Sequence, residues 1–281
     1  MGVYIIMQTV TAVRAYERIN NGCTKPYYIY CDDGNIYVAK FKQNPEGSRI
    51  LVNEYVCAKI AEVLELPLSF PTLINVTPEF VNDYGKEISE HLLNNVHPGI
   101  HFGTRKVKKA YPITKTDMLI GAENIHVIPG IILFDHLVCN KDRDSNGGNL
   151  LFDQSKKEIV VIDHTHTFDL GAIWTAADLK QRIGQPFSSL CTSGYVYSKL
   201  VQFVKGNNPF CSVLEKMKCL NENVLGDIIN NVPDEWEIDL SEKIALKAYL
   251  LDRLRRIGDV LPVLRPFYPF WKGGDYHRKS M

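Results

Sequence analysis

Two polar segments in the middle of the chain carry residue types that could do chemistry together. The first is the run Asn140-Lys141-Asp142-Arg143-Asp144-Ser145-Asn146-Gly147-Gly148-Asn149, and the second is Asp163-His164. An apolar stretch follows the first segment at residues 150–152, and another precedes the second at residues 159–162. Because turn-forming polar residues separate these stretches, they predict a β-hairpin that returns Asp163 to the neighbourhood of Asn149.

The oxygen atoms in these segments suit phosphoryl transfer. Mg²⁺ prefers hard oxygen donors, so Asn149 and Asp163 are candidate ligands for a metal ion bound to a triphosphate. The reaction needs a further carboxylate to orient the acceptor hydroxyl. Both Asp142 and Asp144 precede Asn149 in the same loop, and Asp144 has the five-residue spacing to the asparagine that is usual in kinases. Asp142 does not meet this spacing, so spacing alone favours Asp144, but both aspartates are candidates.

A second group of candidates lies upstream. Lys40 ends the apolar run Tyr37-Val38-Ala39, and Glu54 lies in the next predicted helix. In kinases a strand lysine contacts the α- and β-phosphates of the nucleotide and is held by a helix glutamate. The loop over residues 20–26, with Gly22 and Thr24, could cover phosphates with backbone N–H groups and a hydroxyl. It is not a Walker loop, because that pattern occurs nowhere in the sequence.

The hydrophobic pattern predicts the elements that position these residues. Residues 26–31 and 36–41 are rich in aromatic and β-branched types and flank Asp33-Gly34, which predicts an antiparallel hairpin. Apolar residues at spacings of three and four then predict an amphipathic helix over residues 48–65. Leu66-Pro67 ends this helix, because the residue before a proline is pushed out of the helical region.

The remaining patterns divide the chain into two parts. We predict a strand over residues 72–76, a loop over residues 98–103 and a helix over residues 130–139. A mainly helical region follows over residues 176–264, and its clearest helical pattern lies at residues 242–261. The order of elements predicts an α+β fold with two lobes. A small antiparallel-sheet lobe with one helix would occupy residues 1–104 and a larger, mainly helical lobe residues 105–281, with the ligand in the cleft between them.

These fragments together resemble the HipA-like kinases, relatives of the protein kinase and phosphatidylinositol kinase superfamily. The matching pieces, in chain order, are the Gly22 loop, Asp33-Gly34 before Lys40, Asn53-Glu54, Phe134-Asp135 before Asn140-Lys141-Asp142-Arg143, Asn149-Leu150-Leu151 and Ile162-Asp163-His164. They extend from about residue 8 to about residue 170, and six pieces in the right order are more specific than any one of them.

The resemblance implies a protein kinase fold that uses ATP and Mg²⁺. It implies that Asp142 is the catalytic carboxylate, because Asn140-x-Asp142 reproduces the Asn-x-Asp of the family. It further makes Asn149 and Asp163 the metal ligands, Lys40 the phosphate-binding lysine and Glu54 its partner. The chain departs from its relatives in having Asp-Arg-Asp where they often have Asp-Arg-His, so Asp144 stays a rival, and in a loop at Gly22 that is poor in glycine.

Bulk composition excludes several classes of protein. Lys and Arg balance Asp and Glu at 32 each in 281 residues, which argues against a protein that coats nucleic acid or lies on an anionic membrane. No apolar run is long enough to span a bilayer. The seven cysteines are scattered and form no CxxC pair, which favours free thiols and a cytoplasmic location. His164 and His166 lack a third nearby Cys or His ligand, so a zinc site is not expected.

The leading hypothesis is therefore a serine/threonine protein kinase that transfers the γ-phosphoryl group of ATP to a hydroxyl. A lipid or small-molecule kinase on the same fold is an alternative, although the neutral charge balance counts against the lipid version. A nucleotide-binding pseudokinase is another, and the presence of Lys40, Glu54, Asn149 and Asp163 counts against it. The partners expected are ATP and a protein or small-molecule acceptor. The sequence predicts neither the identity of the acceptor nor the oligomeric state.

Overall fold

The N-terminal region folds as a closed β-barrel. The computed structural model describes residues 6–20, 22–143, 149–190 and 194–273. The barrel strands are β1 (Thr9–Arg18), β2 (Tyr27–Cys31), β3 (Ile36–Lys40), β4 (Pro71–Val76) and β5 (Gly99–Arg105). Their order is β1-β2-β3-β5-β4, and a parallel pairing of β1 with β4 closes the barrel. The predicted antiparallel sheet is therefore correct for the other pairs and wrong for the closing pair.

The predicted hairpin that ends at Lys40 is confirmed as β2 and β3. Their register pairs Tyr28 with Val38, and side chains alternate between the barrel interior and the outside along both strands. At the turn, the carboxylate of Asp33 accepts hydrogen bonds from the backbone N–H of Asn35 at 3.0 Å and the hydroxyl of Tyr37 at 2.6 Å. The hairpin thus fixes Lys40 at the end of a well-defined strand.

The helix α1 (Arg49–Val63) confirms the predicted helix, but it is not amphipathic. Every residue from Ile50 to Ala61 is buried. A helix that is buried on all sides has other elements packed around it rather than one apolar face on a core. Glu65, with a φ of 54°, and the following Leu66-Pro67 end the helical run as predicted.

Two features of the N-terminal region differ from the prediction. The region contains a second helix, α2 (Pro78–Ser89), which begins with the hydroxyl of Thr77 accepting the N–H of Phe80 at 3.2 Å. Residues 98–103, predicted as a loop, belong largely to β5. Glycine and proline suggested a loop, but Gly103 lies within the strand, where a Cβ would overlap the side chain of Ile74 unless that side chain shifted.

The rest of the chain is mainly helical around a small antiparallel sheet. The sheet strands are β6 (Ala110–Pro112), β7 (Leu150–Asp153) and β8 (Glu158–Val161). Leu150 pairs with Val161, which confirms the hairpin predicted between the two polar segments. The helices are α3 (Asp117–Ile120), α4 (Ile128–Val138), α5 (Ala176–Arg182), α6 (Tyr197–Leu200), α7 (Cys211–Met217), α8 (Glu222–Asn230), α9 (Leu240–Arg255) and α10 (Val260–Leu264).

Two clusters of buried apolar side chains form the core. The smaller one fills the barrel and includes Tyr27, Tyr37 and Phe80 from β2, β3 and α2. The larger one joins α1 to α4, α8 and α9, so the first helix of the chain belongs to the helical core. Within the described ranges, no helix combines the length and the apolar character needed to cross a membrane.

Candidate active site

Lys40 lies at the centre of a buried polar cluster. Its side chain emerges from the end of β3, where only 7% of the residue is exposed. The ammonium group donates to a carboxylate oxygen of Glu54 in α1, to Oδ1 of Asp163 at 3.0 Å and to Oγ1 of Thr165 at 2.8 Å. Three acceptors match the three N–H bonds of an ammonium group. The structure therefore brings together three of the residues that the sequence singled out.

The charges of this cluster stabilise one another. Burial by itself disfavours the ammonium form of Lys40, but Asp163 and Glu54 outweigh that effect and raise its pKa above the ordinary value. Burial likewise acts to raise the pKa of both carboxyl groups, and the nearby Lys40 lowers each of them below the usual range. All three groups are thus charged at neutral pH, and one cation faces two anions.

Asn53 fixes the helix that carries Glu54. Its amide nitrogen donates to the backbone oxygens of Thr165 at 2.7 Å and Gly171 at 2.9 Å, and its amide oxygen accepts the indole N–H of Trp174 at 2.9 Å. The side chain is fully buried. Asn53 therefore ties α1 to the segment after β8, which contains Asp163. In the sequence Asn53 stands out only as part of the Asn53-Glu54 motif, since its partners are more than a hundred residues away.

Asn149 and Asp142 are also brought together. The amide nitrogen of Asn149 donates to Oδ2 of Asp142 at 3.0 Å, and the side-chain oxygen of Asn140 accepts the backbone N–H of Asp142 at 3.1 Å. The backbone oxygen of Asn149 accepts the N–H of Ile162, the residue before Asp163, at 3.4 Å. The hairpin thus places Asn149 beside the Asp163 segment. Asp144 lies outside the described residues.

Arg143 holds the two ends of the hairpin against α4. Its guanidinium is fully buried and pairs with Asp135 at 3.0 Å. It also donates to the backbone oxygen of Asn149, to that of Ile162 at 2.6 Å and to Nε2 of His164 at 3.1 Å. A planar, five-donor group is suited to such a branched set of acceptors. No role for Arg143 follows from the sequence alone, in which the available signal is an arginine between two aspartates in a loop.

His164 and Asp135 complete this network. Because Arg143 has only N–H donors, Nε2 of His164 is the acceptor and its proton is on Nδ1, which lies 3.7 Å from the carboxylate of Glu54. Asp135 receives further hydrogen bonds from the Tyr197 hydroxyl at 2.9 Å and the Asn140 amide at 3.2 Å. A continuous chain of polar contacts therefore runs from α4 through Arg143 and His164 to Glu54.

The backbone around the cluster includes several left-handed residues. Cys139, Asp163, Phe168 and Asp169 have φ values of 52°, 56°, 57° and 75°. Such conformations cost non-glycine residues about 1 kcal/mol or more and persist where surrounding contacts impose them. Here the N–H of Phe168 donates to the oxygen of Val138 at 2.7 Å. Strained residues at the ends of α4 and β8 are typical of a functional site.

The predicted phosphate loop is not connected to the cluster. Gly22 has a φ of 111° in the turn after β1, and Thr24 is buried beside it. Within the described residues, no hydrogen bond joins either one to Lys40, Glu54 or Asp163. His166 is partly exposed and 3.4 Å from Glu46, while His164 is buried in the Arg143 network. The part of the chain that is described contains no group of three or more His, Cys, Asp or Glu residues arranged to hold a metal ion by themselves.

A buried strand lysine held by a helix glutamate, beside an Asp and an Asn at one hairpin, is the arrangement of a kinase. The family model described as "HipA-like kinase" matches residues 12–260. The chain therefore belongs to the HipA-like kinase family and is a kinase. No curated protein gives a significant match to the chain.

Solved structures share the fold. The Helicobacter pylori proinflammatory kinase CtkA is 15% identical, with a TM-score of 0.52 over 92% of this chain and 97% of that one. A Golgi casein kinase with Mn/ADP bound is 10% identical, with a TM-score of 0.46 over 98% and 77% of the two chains. A second structure of the Golgi casein kinase is 9% identical, with a TM-score of 0.45 over 95% and 77%. The likeness to CtkA shows a kinase-like fold of mixed helices and strands.

Proposed function

We propose that the chain is an ATP- and Mg²⁺-dependent protein kinase that transfers the γ-phosphoryl group of ATP to a serine or threonine hydroxyl. The observation that carries this proposal is the buried Lys40, held at once by Glu54 and Asp163. ATP would bind between a small lobe, residues 1–104, and a larger lobe, residues 105–281. In this division α1 contributes Glu54 to the small lobe while its other sides pack in the helical core.

Lys40 would contact the α- and β-phosphates, and Glu54 would keep the ammonium group in place. Glu54 is suited to this role because it is buried and cannot turn away into solvent. Gly22 and Thr24 would cover the phosphates from the turn after β1. Because Glu54, Asp163 and Thr165 take all three N–H bonds of Lys40, contact with the phosphates requires Lys40 to exchange Asp163 or Thr165 for a phosphate oxygen, while Glu54 keeps the ammonium group in place.

Asp163 and Asn149 fit a Mg²⁺ ion. The side chain of Asp163 is 29% exposed, and Lys40 and the N–H of Thr165 both bind Oδ1, so Oδ2 can serve a cation. Asn149 donates through nitrogen to Asp142, and among the described residues its amide oxygen has no hydrogen bond, so it would serve as a second ligand. Mg²⁺ usually takes one or two protein oxygens together with phosphate oxygens and water. When bound, the ion would neutralise charge that develops on the phosphates.

Asp142 would orient the acceptor hydroxyl and accept its proton. Its carboxylate is held by the Asn149 amide and is not fully buried, so it can meet an incoming substrate. The same hydrogen bond links the carboxylate of Asp142 directly to Asn149, a candidate metal ligand. This contact favours Asp142, and Asp144 is kept as the alternative.

Calorimetry with ATP tests the nucleotide site. We expect ATP to bind only when Mg²⁺ is present, because two carboxylates near Lys40 repel an uncompensated triphosphate. Asp163→Asn should abolish this dependence on Mg²⁺. Binding that is absent, or unaffected by removing Mg²⁺, would contradict the proposed metal site.

Labelling tests the acceptor class. The protein is incubated with γ-labelled ATP, Mg²⁺ and a cell extract, and labelled species are identified by mass spectrometry. Label on serine or threonine of a protein is expected. Label on a lipid or small molecule would assign the other kinase class, and ATP binding without any transfer would assign a pseudokinase.

A further inference from the structure

A polar cavity of about 420 Å³ lies where α5 and α9 meet the end of α4. It is distinct from the Lys40 cluster, and no step of the proposed function uses it. Its wall includes Cys139, Asp169, Gln181, Arg182, Tyr249 and Arg253. We refer to the part formed by Arg182, Tyr249 and Arg253 as the arginine pocket. Two features of this pocket indicate that it binds an anion.

The first feature is a buried cation without a carboxylate partner. Arg253 is 9% exposed, and its guanidinium donates to the backbone oxygens of Leu137 at 2.7 Å and His136. Among the described residues, no Asp or Glu lies within ion-pair distance of the Arg253 guanidinium. Its Nη1 makes no hydrogen bond to any described residue. The two carbonyls end α4, whose dipole favours a cation there. The carbonyls carry partial charge only, and the guanidinium also lies over the ring of Phe187 at 4.4 Å, so no full negative charge of the described residues pairs with Arg253.

The second feature is a buried hydroxyl without a partner. Tyr249 precedes Arg253 by one helical turn on α9 and also lines the cavity. It is 1% exposed, and its hydroxyl makes no hydrogen bond within the described residues. Leaving such a group unsatisfied costs about 1–3 kcal/mol, so the Tyr249 hydroxyl is available to a polar group that enters the cavity.

The charge around the pocket is positive. Arg182 and Lys141 both pair with the single carboxylate of Asp169. Of the residues that line the cavity itself, Arg182 and Arg253 are cationic and Asp169 is anionic, so the lining carries one excess positive charge. Arg182 uses Nε for Asp169 and Nη1 for the backbone oxygen of Asp178, and within the described part of the chain its Nη2 is a further donor without a hydrogen bond. A concave wall with excess positive charge concentrates anions.

The arginine pocket lies next to Asp142, the carboxylate proposed to orient the acceptor hydroxyl. Asp169, which lines the arginine pocket, also lines a second cavity of about 370 Å³. Asp142, Lys141 and His166 form other parts of that second cavity. A molecule that presents its hydroxyl to Asp142 can therefore place a neighbouring group beyond Asp169.

We propose that the arginine pocket is a subsite of the acceptor, which binds a carboxylate or phosphate group carried by the molecule that is phosphorylated. Arg253 and Arg182 donate charge-assisted hydrogen bonds to that group, and Tyr249 donates a further one. The assignment to the acceptor rests on the proposed function. The affinity of the pocket for anions does not, so the two are tested separately.

Titration with inorganic phosphate at constant ionic strength tests the pocket without any transfer reaction. Tyr249→Phe should weaken phosphate binding about 3- to 10-fold, as loss of one hydrogen bond does, and Arg253→Gln by tenfold or more. Arg255→Gln is the matched control, because it removes the same charge from the exposed face of α9 and should change nothing. Tyr249→Phe should be at least as stable as the wild type without phosphate, since it removes an unsatisfied hydroxyl. Weaker binding by this variant therefore cannot reflect unfolding.

Phosphorylation of degenerate serine- and threonine-containing peptides tests the assignment to the acceptor. We expect wild-type protein and Arg255→Gln to select peptides with Asp, Glu or phosphoserine near the acceptor, and Tyr249→Phe and Arg253→Gln to lose that preference.

Phosphate binding that is absent, or equal in all variants, overturns the pocket as an anion site. Binding that depends on Tyr249 without any acidic preference overturns its role in the acceptor site. Failure to phosphorylate any peptide or extract protein refutes the proposed function and that role, while the titration still decides whether the pocket binds anions.

Discussion

At the scale of single residues, the charges around Lys40 determine where a further cation can bind. Glu54 and Asp163 both contact the ammonium group, but only Asp163 is partly exposed, with 29% of its side chain accessible against 3% for Glu54. The excess negative charge of the cluster is therefore presented on the Asp163 side. That side also carries Asn149, and the two residues offer the oxygen ligands that Mg²⁺ prefers.

The choice between Asp142 and Asp144 is a prediction at the same scale. A carboxylate that orients the acceptor acts on transfer, so its loss lowers turnover and leaves nucleotide binding intact. We expect Asp142→Asn to reduce transfer by roughly 100- to 10 000-fold, the usual contribution of general acid–base catalysis, with unchanged ATP affinity. Asp144→Asn, a matched change two residues away, should retain appreciable activity.

Single-turnover assays on the labelled acceptor, together with ATP titrations of each variant, measure both quantities. If Asp144 proved essential and Asp142 dispensable, the five-residue spacing to Asn149 would identify the catalytic residue and the Asn140-x-Asp142 match would be wrong. If neither variant lost activity, neither aspartate would be the carboxylate that orients the acceptor hydroxyl.

Some site residues could be found from the sequence and others could not. Lys40 and Glu54 were predictable because a lysine at a strand end and a glutamate in the next helix have a known local spacing. Thr165 was not, because its hydroxyl reaches Lys40 and Glu54 only after segments more than a hundred residues apart have packed. The contacts of Asn53 could not be predicted for the same reason. An asparagine within a helix carries no sign of which backbone atoms it will bind.

At the scale of elements, Arg143 joins α4 to the β7–β8 hairpin. It contacts Asp135 on the helix and the backbone oxygens next to both β7 and β8. These contacts set the position of Asn149 and Asp163 relative to α4. Arg143 is thus a positioning residue for both candidate metal ligands rather than a group that touches substrate.

Arg143→Gln should lower the free energy of unfolding by about 3–5 kcal/mol, because it leaves the carboxylate of Asp135 buried without its cation. The double variant Asp135→Asn/Arg143→Gln should recover part of that loss, because it removes the unpaired charge as well. Chemical denaturation of the single and double variants measures this coupling. Arg255→Gln serves as the exposed control, and a loss below about 1 kcal/mol for Arg143→Gln would show that the network does not hold the hairpin.

Elements with a strong local pattern were predictable, and those defined by distant partners were not. The β2–β3 hairpin and α1 follow from aromatic and apolar spacing in their own residues. The Thr77-Pro78 start of α2 was a signal that could have revealed the second helix. The parallel pairing of β1 with β4 has no local signal, because it depends on how a whole connection folds back.

At the scale of the whole molecule, the helical region is fastened to the barrel at several points. Glu235 accepts hydrogen bonds from Lys42 at 3.0 Å and from the N–H of Ile100 in β5 at 2.9 Å. The indole of Trp236 donates to the oxygen of Ile100 at 2.8 Å. Since α1 is also buried among helices of the second region, the position of Glu54 depends on both parts of the chain.

This arrangement predicts that the protein unfolds in a single cooperative transition. A chain of 281 residues with two apolar clusters would ordinarily unfold in steps. Here α1 lies in the helical cluster while its flanking strands belong to the barrel, so neither cluster keeps its packing when the other is lost. Denaturant unfolding can be followed by the fluorescence of the three buried tryptophans, Trp174, Trp236 and Trp271, and by far-UV circular dichroism, and both signals should give one midpoint. Glu235→Gln, which weakens contacts to the barrel, should shift both signals together by no more than about 1.5 kcal/mol. Two separate midpoints, or a shift of one signal alone, would show that the barrel and the helical region unfold independently.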